Sequence, residues 1–340
     1  MPTDLSQDSK TIFLRRFSKL TCFSTLFLIF AGGMVTSTGS GLSVPDWPLS
    51  YGMLFPPMVG GVFYEHGHRM VAATVGFLTL CLAVSLTYWE RRKWVKVLGF
   101  CALGAVILQG ILGGITVLFF LPKPISIGHA VLAQTFFILT IIIAYTESTE
   151  RSQRSHLGAK KIPTNVLKGV LFLVILVYCQ LMIGAVMRHT HSGLAIPDFP
   201  TMGGYWWPPF HEMILDKINQ VRLDLNWQYN LQLEPVTMTQ VVIHFLHRLF
   251  ALLITLAVVT LDILGTKSPL DPKLKRTLFL INLVLFIQVA LGILTVLSLK
   301  SPVITSLHVV TGGAMLGLSV LFLLRLSPLS WPEFKKVVFS

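Results

Sequence analysis

Eight runs of mostly apolar residues divide the chain, near 17–36, 66–88, 96–119, 124–145, 166–187, 238–261, 276–298 and 302–324. Each reaches the roughly 20 residues that a helix needs to cross a bilayer core. Polar and basic segments separate them. The pattern predicts an all-α integral membrane protein with eight transmembrane helices. The first run follows Arg15, Arg16 and Lys19, as in a signal peptide. It has no persuasive small-residue cleavage site and continues into a motif that recurs later, so it is expected to be a retained helix.

The runs form two sets of four. GGMVTSTGSGLSVPDWP at the end of the first run returns as IGAVMRHTHSGLAIPDFP at the end of the fifth. QGILGGITVL in the third returns as QVALGILTVL in the seventh, and SIGHAV in the fourth as TSLHVV in the eighth. His68 and His247 stand 179 positions apart, as do His129 and His308, whereas Asp46 and Asp198 stand 152 apart. The second copy therefore carries 27 extra residues in its outer loop. Four crossings return the chain to its starting side, so the copies are parallel and related by an axis along the membrane normal. Two pseudo-symmetric four-helix bundles are expected, spanning 1–150 and 151–340.

Composition agrees with a lipid setting. Hydrophobic residues make up 53% of the chain and charged ones 12%, with mean hydropathy +0.72, against about 25% charged in soluble domains. The net charge of +12 does not point to nucleic acid, because the basic residues lie in short clusters between apolar runs. Twenty of the 27 Lys and Arg fall on one side, before the first helix, in the loops 2–3, 4–5 and 6–7, and after the eighth. The positive-inside rule makes that side cytoplasmic, with both termini inside a cell inner (plasma) membrane and the two long loops outside. The cysteines Cys22, Cys81, Cys101 and Cys179 form no CxxC or CxxCH, which argues against covalent c-type heme and a zinc ribbon.

Ionisable groups at the mouth of an apolar run carry the chemistry. His68 and His129 lie in the first turns of helices that enter from outside, and His247 and His308 do so in the second copy. Two histidines at equal depth on different helices can clamp a heme iron from both faces. Zinc fits less well, since neither half offers a convincing third ligand at that depth. The copies differ at one telling position: Glu65 precedes His68 by three residues where His244 precedes His247. That offset puts Glu65 near the His68 face, where a carboxylate can move protons or steady positive charge. A dipole-favoured residue of the helix N-terminus is the alternative. The first half thus reads as reactive and the second as a relay. His66 is one residue off the Glu65/His68 face, and His244 reads as a supporting or core residue. Arg69 and Arg248 suit either heme propionates or lipid headgroups. Asp46 and Asp198 are expected to lock the outer loops through backbone hydrogen bonds. Gln109 and Gln288 read as interhelical hydrogen bonders, and His189, His191 and His211 as surface residues of the outer loop.

With E-x-x-H-R at Glu65–Arg69, H-R at His247–Arg248, GH at His129, LH at His308 and two Gly-rich P-D-aromatic-P loops, the chain resembles the heme A synthase family, the CtaA/Cox15 type. The resemblance covers all eight helices. It implies oxidation of the C8 methyl of heme O to a formyl group by successive hydroxylations with water-derived oxygen. By position it implies His68 and His129 as ligands of substrate heme O, Glu65 as catalytic, and His247 and His308 as ligands of a resident heme b. Heme O synthase and an electron carrier would be its partners. Some bacterial members carry a cysteine pair in the first outer loop; its absence here places the chain nearer the cysteine-free branch. From the residues alone the rival is a non-enzymatic diheme b-type cytochrome relaying electrons from quinol. All four histidines near one face weigh against a transmembrane wire. The electron acceptor or donor, the handover partners and the oligomeric state, a homo-oligomer among the options, stay open.

Overall fold

The computed structural model describes residues 5–156, 163–207, 210–230, 232–268 and 270–327. Among them are ten α-helices: α1 Leu5–Ser37, α2 Gly61–Trp89, α3 Lys93–Leu118, α4 Lys123–Thr146, α5 Thr149–His156, α6 Thr164–His189, α7 Glu212–Tyr229, α8 Met238–Thr266, α9 Pro272–Leu297 and α10 Pro302–Leu326. Eight of them (all but α5 and α7) are long and apolar enough to cross a membrane. The spans match the apolar runs and overshoot several of them. α1 starts well before its apolar stretch, because polar residues extend a helix outside lipid. α9 starts at Pro272, where Asp271 caps it by accepting from the Leu274 amide (3.0 Å). Lys160, Lys161 and the basic residues after the eighth span lie outside the described residues.

Helices α1 to α4 form a ring in chain order, and α6, α8, α9 and α10 form a second ring of the same order. The rings meet through α1 and α4 on one side and α6 and α10 on the other. A core of Leu173, Val258, Ile281, Leu316 and Phe322 fills the second ring and runs across the seam to Ile29, Phe137 and Ile141. Close approach there depends on Gly317: a Cβ at this position would lie 3.1 Å from both Ile141 Cδ1 and Phe137 Cε1. Outward faces carry Phe23, Phe77, Phe279 and Phe286, as a lipid-facing surface requires.

The loops of the two rings lie at one end. At the other, Arg92 Nη2 sits 2.7 Å from both Glu90 and Glu147 and ties the α2–α3 turn to the end of α4. Burial and the neighbouring Glu90 push the Glu147 carboxyl up to about 7. Most of the 27-residue excess of the second copy matches α7, 18 residues long, which buries Ile214 and Ile218 against Ile196, Val236 and Val241.

Candidate functional site

His68 on α2 and His129 on α4 stand on opposite helices of the first ring; His247 on α8 and His308 on α10 do so in the second. Each imidazole lies over a glycine of a neighbouring helix. A Cβ built on Gly32 would be 3.0 Å from His68 Cε1, on Gly113 3.5 Å from His129 Cε1, on Gly184 3.3 Å from His247 Cε1, and on Gly292 3.1 Å from His308 Cε1. Gly32 and Gly184 are repeat mates, as are Gly113 and Gly292. All four histidines are therefore seated in one way.

The second pair is closed. The rings of His247 and His308 have centres 6.3 Å apart and planes inclined by 66°. A metal ion bonded to one nitrogen of each ring at about 2 Å puts the ring centres about 6 Å apart. His68, His129 and His247 each bury Nδ1 with no hydrogen-bond partner. Such an orphan costs about 1–3 kcal/mol and is rare in folded proteins. In the second half two imidazoles stand at the separation that a shared ion needs, which suits a metal macrocycle that brings its own equatorial donors. The residues present fit heme. Gln109 Nε2 donates to the His129 carbonyl (2.9 Å), as expected of an interhelical bonder. At Gln288 the interhelical bond runs instead through its backbone carbonyl, which faces His308 Nδ1 at 3.2 Å.

Above each pair an arginine holds the outer loop. Arg69 Nη1 donates to the carbonyls of Asp46 (2.7 Å) and Leu49 (2.8 Å), and Nη2 to that of Val44 (3.4 Å). Arg248 makes the equivalent set, with Asp198 (2.7 Å), Thr201 (3.0 Å) and Ile196 (3.1 Å). Neither propionates nor headgroups are needed to explain why an arginine follows each histidine: the loop occupies the guanidinium. Asp46 accepts from the Tyr51 and Gly52 amides (2.7 and 2.8 Å), and Asp198 from those of Gly203 and Gly204 (2.7 and 3.0 Å). The Gly52 amide above all, together with that of Tyr51, holds the exposed Asp46 carboxyl below its ordinary value. At Asp198 burial pushes upward, but the Thr201, Gly204 and Gly203 hydrogen bonds outweigh it. The first loop also lays Trp47 against Gly114, the neighbour of the glycine that seats His129; a Cβ there would be 2.7 Å from the indole.

The copies diverge at one node within this shared scaffold. Glu65 is 3% exposed and accepts from the Val44 amide (2.8 Å) and from Arg69 Nη2 (2.7 Å). In the second copy the Ile196 amide faces His244 Nδ1 and Arg248 Nε faces His244 Nε2, each at 3.2 Å. A loop amide and an arginine converge on this position in both halves, but they meet a carboxylate in one and an imidazole in the other. An imidazole offers one acceptor nitrogen at most, whereas a carboxylate keeps lone pairs free after two bonds. Glu65 therefore serves the loop with lone pairs to spare.

His66 is buried and turned to the loop, with Nδ1 2.8 Å from Ser50 Oγ. His211 is exposed before α7, and His191 is an exposed residue with φ 57. His189 corrects the sequence reading. It is not a loop residue but the half-buried last residue of α6, within electrostatic range of His129 in the other ring. Sequence reasoning also passed over Arg188, Gln180, whose Nε2 donates to the His247 carbonyl (3.0 Å), and Lys300. The signal for Arg188 and His189 was present in the repeat, where Thr36 and Ser37 occupy their positions.

Residues 15–60 and 58–322 match the family model COX15-CtaA, described as cytochrome oxidase assembly protein. The chain is 31% identical over 212 residues to the heme A synthase of Bacillus licheniformis, covering 59% of this chain and 68% of that one. It is 32% identical over 205 residues to the heme A synthase of Shouchella clausii, covering 57% and 65%. With that of Halalkalibacterium halodurans it shares 31% over 209 residues, covering 57% and 66%. The matched stretch thus spans about two thirds of these relatives.

Proposed function

Because the chain belongs to the COX15-CtaA family of cytochrome oxidase assembly proteins, we propose that it is a heme A synthase, an oxidoreductase that converts the C8 methyl of heme O to a formyl group. In this reading residues 1–150 hold the reacting site and residues 151–340 a relay. His68 and His129 bind substrate heme O. His247 and His308 hold heme b, which supplies one-electron redox capacity when bound. The methyl is hydroxylated in succession with oxygen from water, and the gem-diol loses water to leave the aldehyde. Protons and electrons are released, the electrons leaving for an unidentified carrier.

The observation that carries the assignment is the node at position 65. The two halves share glycine seats, histidine pairs and arginine clamps, and they differ there in proton chemistry. Glu65 is the base for protons leaving the substrate methyl and water, or the counter-charge to positive charge developing on that carbon. Arg69 orients it, and the loop carrying Trp47 screens the site from bulk water. We place the protein in the cell inner membrane with both termini cytoplasmic and the heme sites toward the outer face, next to a heme O synthase that hands over substrate.

Expression with a heme O source, followed by mass analysis of extracted hemes, tests this. Heme A is expected from the wild-type chain. Heme O left unchanged with both sites filled would replace the assignment with a diheme cytochrome.

A further inference from the structure

The second half carries cations where the first carries none. Lys300 occupies the position of Leu121, and Arg188 that of Thr36. In both copies the turn before the last helix places two non-glycine residues in the left-handed region, Phe120 and Leu121 (φ 55 and 58) and Leu299 and Lys300 (φ 53 and 66). Such a turn persists only where the surroundings dictate it, and it fixes where the second side chain goes. Leu121 lies against Gly41, and Lys300 lies against its repeat mate Gly193, where a Cβ would be 3.5 Å from Lys300 Cδ. The same turn thus presents a leucine in one half and an ammonium in the other.

Arg188 reaches the same end of the molecule from the last turn of α6. Its Nη2 donates to the Gly33 carbonyl (2.5 Å) and to Ser37 Oγ (2.7 Å), which Ser306 Oγ approaches at 3.0 Å. Ser306 lies two residues before His308, and the guanidinium is within electrostatic range of that histidine. Lys300 is in turn within range of Arg188. Partial burial, then the charges of Arg188 and Arg222, hold its ammonium below the ordinary lysine value. Arg222 is committed to the carbonyls of Leu194 and Glu234. Among the described residues no carboxylate pairs with Arg188 or Lys300; the ion pairs there join Arg69, Arg92 and Arg325 to glutamates. Clustered, partly buried cations of this kind call for an anion from outside the chain.

We propose that Arg188 and Lys300 form a carboxylate seat for the propionates of the heme held by His247 and His308. The inference rests on the reading that the second half keeps a resident heme. It also explains the asymmetry: a cofactor that stays is pinned by charge, whereas a substrate that must enter and leave meets Thr36 and Leu121 at the equivalent positions.

The test is a titration of the full-length protein, made under heme limitation, with iron protoporphyrin IX and with its dimethyl ester, followed by the Soret difference band. The wild-type chain should bind the free acid about tenfold or more tighter than the ester, the difference expected of charge-assisted hydrogen bonds. Arg188→Leu combined with Lys300→Leu should remove that preference and leave ester affinity unchanged, while Arg188→Lys retains it. Equal binding of acid and ester by the wild type, or a preference that survives in the double variant, overturns the seat. Should the double variant fail to fold, the wild-type comparison and Lys300→Leu alone decide. His247→Ala separates the two levels of inference. If it keeps the full Soret change, the resident-heme reading itself fails; if it loses part of that change while the wild type shows no acid preference, only the seat fails.

Discussion

Substituting glutamine for Glu65 should lower heme A formation by about 10²–10⁴-fold, the usual contribution of a positioned base, while the chain stays folded and the first site stays loaded. Glutamine preserves the shape and an acceptor for the Val44 amide, now at 2.8 Å from Glu65. The ion pair with Arg69 is lost, but Arg69 keeps the carbonyls of Asp46 and Leu49, so the loop stays closed. What disappears is the carboxylate three residues before His68. Initial rates of heme O conversion, read beside the Soret absorbance of the same preparation, separate lost chemistry from lost binding. Heme A made at the wild-type rate would remove Glu65 from the reaction.

Gly184→Leu should empty the second site and spare the first. A Cβ at Gly184 already stands 3.3 Å from His247 Cε1, and the remaining carbons of leucine would occupy the volume of the ring. His247 then turns away from His308, and a bis-imidazole site with one ligand displaced loses its low-spin spectrum. The effect is local because the four seats lie on different helices: Gly32 on α1, Gly113 on α3, Gly184 on α6 and Gly292 on α9. Heme content per chain should fall by about half. Unchanged content and spectrum would show that the glycine does not set the position of His247.

The eight spans were legible because length and apolarity alone specify a membrane helix, and the histidines because the repeat spacing singles them out. The locking role of Asp46 and Asp198 was legible too, since turn chemistry is local. The partners of Arg69 and Arg248 were not. They are loop carbonyls 20 to 52 positions away in sequence, which only the folded loop brings near. For the same reason Glu65 was read as a free carboxylate beside His68, without its bonds to Val44 and Arg69. His189 was misplaced because α6 continues through it, two residues beyond the apolar run. Arg188 and Lys300 were passed over because a basic residue near a helix end is first explained by topology. α7 is amphipathic and short, and its apolar residues Ile214 and Ile218 form no run that marks a span.

The central claim is a division of labour, with substrate heme O on His68 and His129 and resident heme b on His247 and His308. Mass analysis of the hemes extracted from His68→Ala and His247→Ala, each expressed with a heme O source, tests it most directly. His68→Ala should retain heme b and lose heme O and heme A; His247→Ala should lose heme b and retain heme O. Loss of both hemes from either variant, or the reverse assignment, would contradict it.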